Sequence, residues 1–181
     1  MDIEKEFGEG AIARFANPAA VEADVHLAAS RYLRAALSAA PYVFLAGKLA
    51  WPDTSQQHMA DALYEEVERA LESGDDLTAA WRASYLYLLT GRLPWRADDL
   101  GLMLEAVSLT LKGAQSWGHP SYAGRVADYI ILGGKPFWTP EQLDLMLAAL
   151  REDFGASLRS QDRTLTADRL ARFRILAESR E

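Results

Sequence analysis

Residues 91–95 read GRLPW. The same phrase, a glycine followed at once by a cation and four residues later by a tryptophan, stands at 47–51 as GKLAW and at 134–138 as GKPFW. The glycines are 44 and 43 residues apart, and an ungapped alignment anchored on them keeps matching. Lys48, Arg92 and Lys135 share one column, and Trp51, Trp95 and Trp138 another. Eight residues on stand Met59, Met103 and Met146, then Ala62, Ala106 and Ala149; eleven residues before each glycine stand Ala36, Ala80 and Ala123. The chain has only five tryptophans and four methionines, so these columns point to an internal repeat.

Each phrase is read as the corner of a helical hairpin. Glycine relieves the steric cost of the left-handed residue that closes a helix. The cation beside it faces the negative end of the helix dipole. Pro52, Pro94 and Pro136 stop helical continuation through the turn. The tryptophan is expected to fill the angle between the two helices as a large apolar wedge.

The following helix is clearest in the third copy. Thr139, Pro140 and Gln142 form an N-cap, a first-turn proline and a capping-box acceptor, and Leu143, Met146, Leu147, Leu150 and Phe154 make one stripe at helical spacing. In the first copy Thr54 and Gln57 are expected to form the box.

The fold expected is all-α: three tandem hairpins in units of about 33–74, 77–118 and 120–161. Residues 1–17 are expected to be poorly ordered, and residues 18–181 to form a single helical repeat domain. A long helix over 18–40, kinked or ended by Pro41, leads into the first unit, and a closing helix over 164–180, capped by Thr164 or Thr166, covers the far end. The period resembles that of HEAT and armadillo units and exceeds the 34 residues of tetratricopeptide units. The likeness is to that general architecture only, and a compact multi-helix bundle is the alternative arrangement.

Composition agrees with helix. The chain has 31 alanines and 26 leucines against five isoleucines and six valines, a balance that avoids the χ1 restriction of β-branched residues. The net charge of −7 argues against sequence-independent nucleic-acid binding. With no cysteine there is no disulfide, thiol nucleophile or Cys-based metal site. The opening MDIEKEF lacks the features of a signal peptide, and no apolar run is long enough to span a bilayer. A soluble cytoplasmic protein without a cofactor is the expectation.

No nucleophile elbow, phosphate loop or dinucleotide fingerprint is present. His58, Asp61 and Glu65 share a helical face and form a weak metal-site alternative that a small metal-dependent hydrolase would use. Glu65 stands four residues before Arg69, the favourable order for a surface ion pair.

The expected function is therefore non-enzymatic: a helical repeat that binds a protein or peptide partner of unspecified identity. Two sets of residues are candidates. Trp117, His119, Tyr122 and Arg125 bring an aromatic, an imidazole and a guanidinium into one loop and first turn, and Trp117 is not required by the repeat. Lys48, Arg92 and Lys135 would line one edge of a stacked array as a ridge for an acidic partner or phosphate. A helical small-molecule domain, with a pocket lined by Trp81, Tyr85, Tyr129 and Phe137, is the alternative.

Overall fold

The computed structural model describes residues 3–47, 51–113, 117–160 and 162–180. Among them the chain is all-α, with no strand. The helices are α1 (Ile3–Phe7), α2 (Ala11–Ala28), α3 (Tyr32–Ala46), α4 (Asp53–Glu72), α5 (Asp76–Thr90), α6 (Ala97–Gly113), α7 (Pro120–Ile131), α8 (Pro140–Ser160) and α9 (Arg163–Glu178). Helices α3 and α4, α5 and α6, and α7 and α8 fall near the stretches 33–74, 77–118 and 120–161. Lys48 lies outside the described residues.

Glycine closes the first helix at two of the three corners as expected, and one residue early at the third. Gly47 and Gly91 close α3 and α5 at φ 64° and 70°, in the left-handed region. At the third corner the left-handed residue is Gly133, at φ 88°, not Gly134. The left-handed glycine thus stands five residues before Trp138, against four before Trp51 and Trp95. Gly134 has a different reason to lack a side chain: a Cβ there would overlap the Tyr129 ring.

The tryptophans do more than wedge. Trp51 donates its indole N–H to Asp24 on α2 at 2.7 Å, and Trp95 donates to Glu68 on α4 at 2.6 Å. Each acceptor lies 27 residues before its tryptophan, so each indole ties its corner to the helix that precedes the hairpin. Trp138 has Leu111 at that offset and packs instead on Phe137 and Tyr129. Met59, Met103 and Met146 are all fully buried.

Several local expectations are corrected. Residues 3–7 and 11–28 are helical, where the sequence suggested a poorly ordered 1–17: Ile3, Ala11 and Ala16 are buried, and Phe7 and Phe15 meet Phe154 edge-on at 5.2 and 4.9 Å. The helix expected over 18–40 is broken at 29–31, with Ser30 at φ 53°. That break lets α2 and α3 fold back on each other. Their contact is built from fully buried alanines, including Ala16, Ala19 and Ala23 on α2 and Ala35, Ala36 and Ala39 on α3. Pro41 sits inside α3 without ending it. The Thr54–Gln57 box does not form, because α4 begins one residue after Pro52 and Gln57 turns to Asp61. Arg69 pairs with Glu66 rather than Glu65.

The largest correction concerns α9. It is capped by Asp162, whose carboxylate accepts from the Leu165 N–H at 2.9 Å, and not by Thr164 or Thr166. Nor does it merely cover an open end. It packs against α2, α3, α7 and α8, and ten of its sixteen residues are buried. A helix apolar on all sides belongs in the interior. Here the interior helix carries two of the molecule's buried charged residues, Asp168 and Arg172.

Candidate functional site

Asp168 and Arg172 are one helical turn apart on α9, so their side chains meet on one face. Arg172 donates Nε to both carboxylate oxygens of Asp168 at 3.1 and 3.0 Å. Its Nη1 donates to Asp128 Oδ1 on α7 at 2.6 Å and to the Gly124 carbonyl at 2.8 Å. Tyr85, from α5, donates its hydroxyl to Asp168 Oδ1 at 2.9 Å. Four side chains from three helices are thus joined, each at most 7% exposed. A Cβ at Gly124 would lie 3.7 Å from Arg172 Cδ, an ordinary van der Waals contact.

Burial sets the electrostatics. It pushes the Asp128 carboxyl up, against the pull of Arg172. It pushes the Tyr85 phenol up as well, and Asp168 adds to the effect. Burial alone would lower Arg172, but Asp128, Asp168 and Tyr85 outweigh it and hold the guanidinium well above its ordinary range. The two aspartates serve the arginine: each is hydrogen-bonded to it and neither stands alone.

This network forms the floor of a cleft of about 480 Å³ between α5, α7 and α9. Leu77, Trp81 and Leu165 give it apolar walls, and Arg125 and Arg169 also line it. Arg125, Arg169 and Arg172 thus line the cleft together with Asp128 and Asp168, and Arg169 is also paired with Asp153. Trp81 is 43% exposed, with the Arg82 guanidinium over its ring at 4.4 Å and Tyr85 against its edge at 5.9 Å. A second lobe of about 350 Å³ adjoins the first along Trp81, Tyr85, Leu165 and Asp168, and extends to Arg34, Glu22 and His26.

Arg172 Nη2 makes no hydrogen bond among the described residues and is not one of the enclosed polar atoms left without a partner. It belongs to a guanidinium that lines the cleft. The nitrogens Nε and Nη1 are spent on holding the arginine, which leaves Nη2 without a partner among the described residues in a guanidinium that lines the cleft.

The residues singled out from the sequence are dispersed by the fold. Trp117 is half-buried and sits edge-on to Tyr122 at 4.9 Å. Tyr122 is 3% exposed, so it is a core residue. His119 is the N-cap of α7 and accepts the Ser121 N–H at Nδ1, 3.2 Å away. Only Arg125 of that set is both exposed and in the cleft. Arg92 and Lys135 are exposed in the α5–α6 and α7–α8 turns, without ion pairs among the described residues. His58 lies against the Tyr32 ring at 4.8 Å and Asp61 accepts from Gln57 at 2.6 Å. Among the described residues no group of three or more His, Asp and Glu is gathered for a metal ion. The aromatic quartet also divides: Trp81 and Tyr85 line the cleft, while Tyr129 and Phe137 pair with each other at 5.6 Å.

Sequence inspection missed Asp128, Asp168 and Arg172. The signal was the stretch TADRLARFRIL at 166–176, where apolar residues fall on every side of the helix and leave no solvent face for its charges. No helix among the described residues is long and apolar enough to cross a membrane. No family model, curated protein or solved structure matches the chain.

Proposed function

We propose that this protein is a non-catalytic binding module that takes an extended peptide segment of a partner protein in the groove formed by the two adjoining lobes. The observation that carries this is Arg172: a buried guanidinium, fixed by two aspartates, with one nitrogen unspent at the floor of an open groove. A group held so rigidly is preorganised for binding, because little side-chain freedom remains to be lost. Trp81 adds a large, braced, partly exposed apolar surface of the kind that anchors interfaces. The engagement of Asp128 and Asp168 by Arg172 leaves neither as an unpaired base, which favours binding over proton-transfer chemistry.

The test is selection of heptapeptides from a display library on the purified protein, followed by calorimetry on Trp81→Ala and Leu165→Arg. Both substitutions alter the wall shared by the two lobes. Peptide affinity should fall at least tenfold in each. Binding that survives both would place the peptide elsewhere and refute the groove.

A second reading is a small-molecule ligand held in the larger lobe alone, favoured by its volume, which lies within the usual range for such sites. Arg34→Ala separates the two: it lines only the second lobe and should weaken a peptide while leaving a small ligand unaffected.

A further inference from the structure

The chemistry of the larger lobe narrows what the peptide must present. Its floor offers the N–H groups of Arg172 Nη2, and Arg125, an exposed guanidinium on α7, lies on the same cleft. Arg169 also lines it, but is engaged by Asp153 and, at 3.4 Å, by Asp168. The unspent donors are thus guanidinium N–H groups beside an apolar wall of Leu77 and Trp81. Planar guanidinium donors match the oxygens of a carboxylate, and such charge-assisted bonds are about twice as strong as neutral ones. A cationic group would meet the Arg125 and Arg172 guanidiniums. A neutral amide would leave part of the donor set unused in a partly desolvated place, which costs affinity.

Resting on the peptide-binding role above, we propose that the larger lobe is a carboxylate-recognition subsite, with Arg172 Nη2 and Arg125 as its donors and Leu77 and Trp81 as the wall for the adjoining apolar side chain. The carboxylate comes from either a chain terminus or an Asp or Glu side chain; the donors are the same for both.

The experiment uses the full-length protein and two heptapeptide libraries, one displayed with free C-termini and one displayed internally. Selected peptides are resynthesised as the free acid, as the C-terminal amide, and with each Asp or Glu changed to Asn or Gln, and titrated by calorimetry. One of the two neutralisations should weaken binding at least tenfold, and which one identifies the source. Arg125→Ala should weaken the charged peptide at least fivefold and change the neutral one less than twofold. Arg172→Lys is the companion variant, checked for folding by circular dichroism; Arg125 is exposed, so its variant decides the matter even if Arg172→Lys unfolds. Peptides that are lost on Trp81→Ala but tolerate both neutralisations would overturn the carboxylate subsite and leave the groove standing. An equal effect of Arg125→Ala on charged and neutral peptides would also overturn it. Failure of both libraries to yield a peptide sensitive to Trp81→Ala would remove the groove itself, and the subsite with it.

Discussion

Removing the Arg172 guanidinium leaves Asp128 and Asp168 buried without their counter-charge. Breaking a buried ion set from one side costs about 3–5 kcal/mol. Arg172→Ala is therefore predicted to lower unfolding free energy by roughly that much in urea titration; a loss below about 1 kcal/mol would mean the network is solvated. Tyr85 gives a pH test. Its folded-state pKa lies above the unfolded value of 10.0, so the unfolded chain gives up the proton first. The stability it carries is complete below about pH 10 and declines as pH rises beyond that. Tyr85→Phe should cost about 1 kcal/mol at pH 7, from the lost bond to Asp168, and should flatten the decline above pH 10 in denaturation series. None of this was visible residue by residue. Asp168 and Arg172 are close in sequence, but Asp128 and Tyr85 reach them only through packing between helices.

At the scale of elements, the hairpin corners were the legible part. Glycine closure, the Thr139–Gln142 capping box and the buried methionines follow from local chemistry that sequence displays directly. The indole bonds to Asp24 and Glu68 were not legible, since they join a corner to the helix that precedes its hairpin, 27 residues upstream. They make a prediction. Glu68→Ala should destabilise by about 1 kcal/mol, and Trp95→Phe should lose a similar amount that does not add to it, as a double-mutant cycle on one hydrogen bond requires. Additive losses would show that the indole and the carboxylate act independently. Gly91→Ala should cost about 1 kcal/mol for placing a Cβ at φ 70°. The break at 29–31 escaped detection because Ser30 takes the left-handed conformation without the glycine that usually signals it.

At the scale of the molecule, the helices share one hydrophobic core, and α9 runs through it. The sequence placed this helix at its true position in the chain but assigned it to the periphery, because a final helix in a repeat is ordinarily an end cap. It is a largely buried helix whose Asp168 and Arg172 are satisfied from α5 and α7. The cleft exists because of that placement: α9 supplies Leu165, Arg169 and Arg172 to it. The most direct measurement is native-state hydrogen exchange, resolved by residue, on the intact protein. If α9 is central, its amides from Leu170 to Leu176 exchange only through global unfolding, with the same free energy as the most protected amides of α3 and α5. Exchange of these α9 amides through local opening, while α3 and α5 stay protected, would make it a peripheral cap and would contradict both the fold described and the cleft that depends on it.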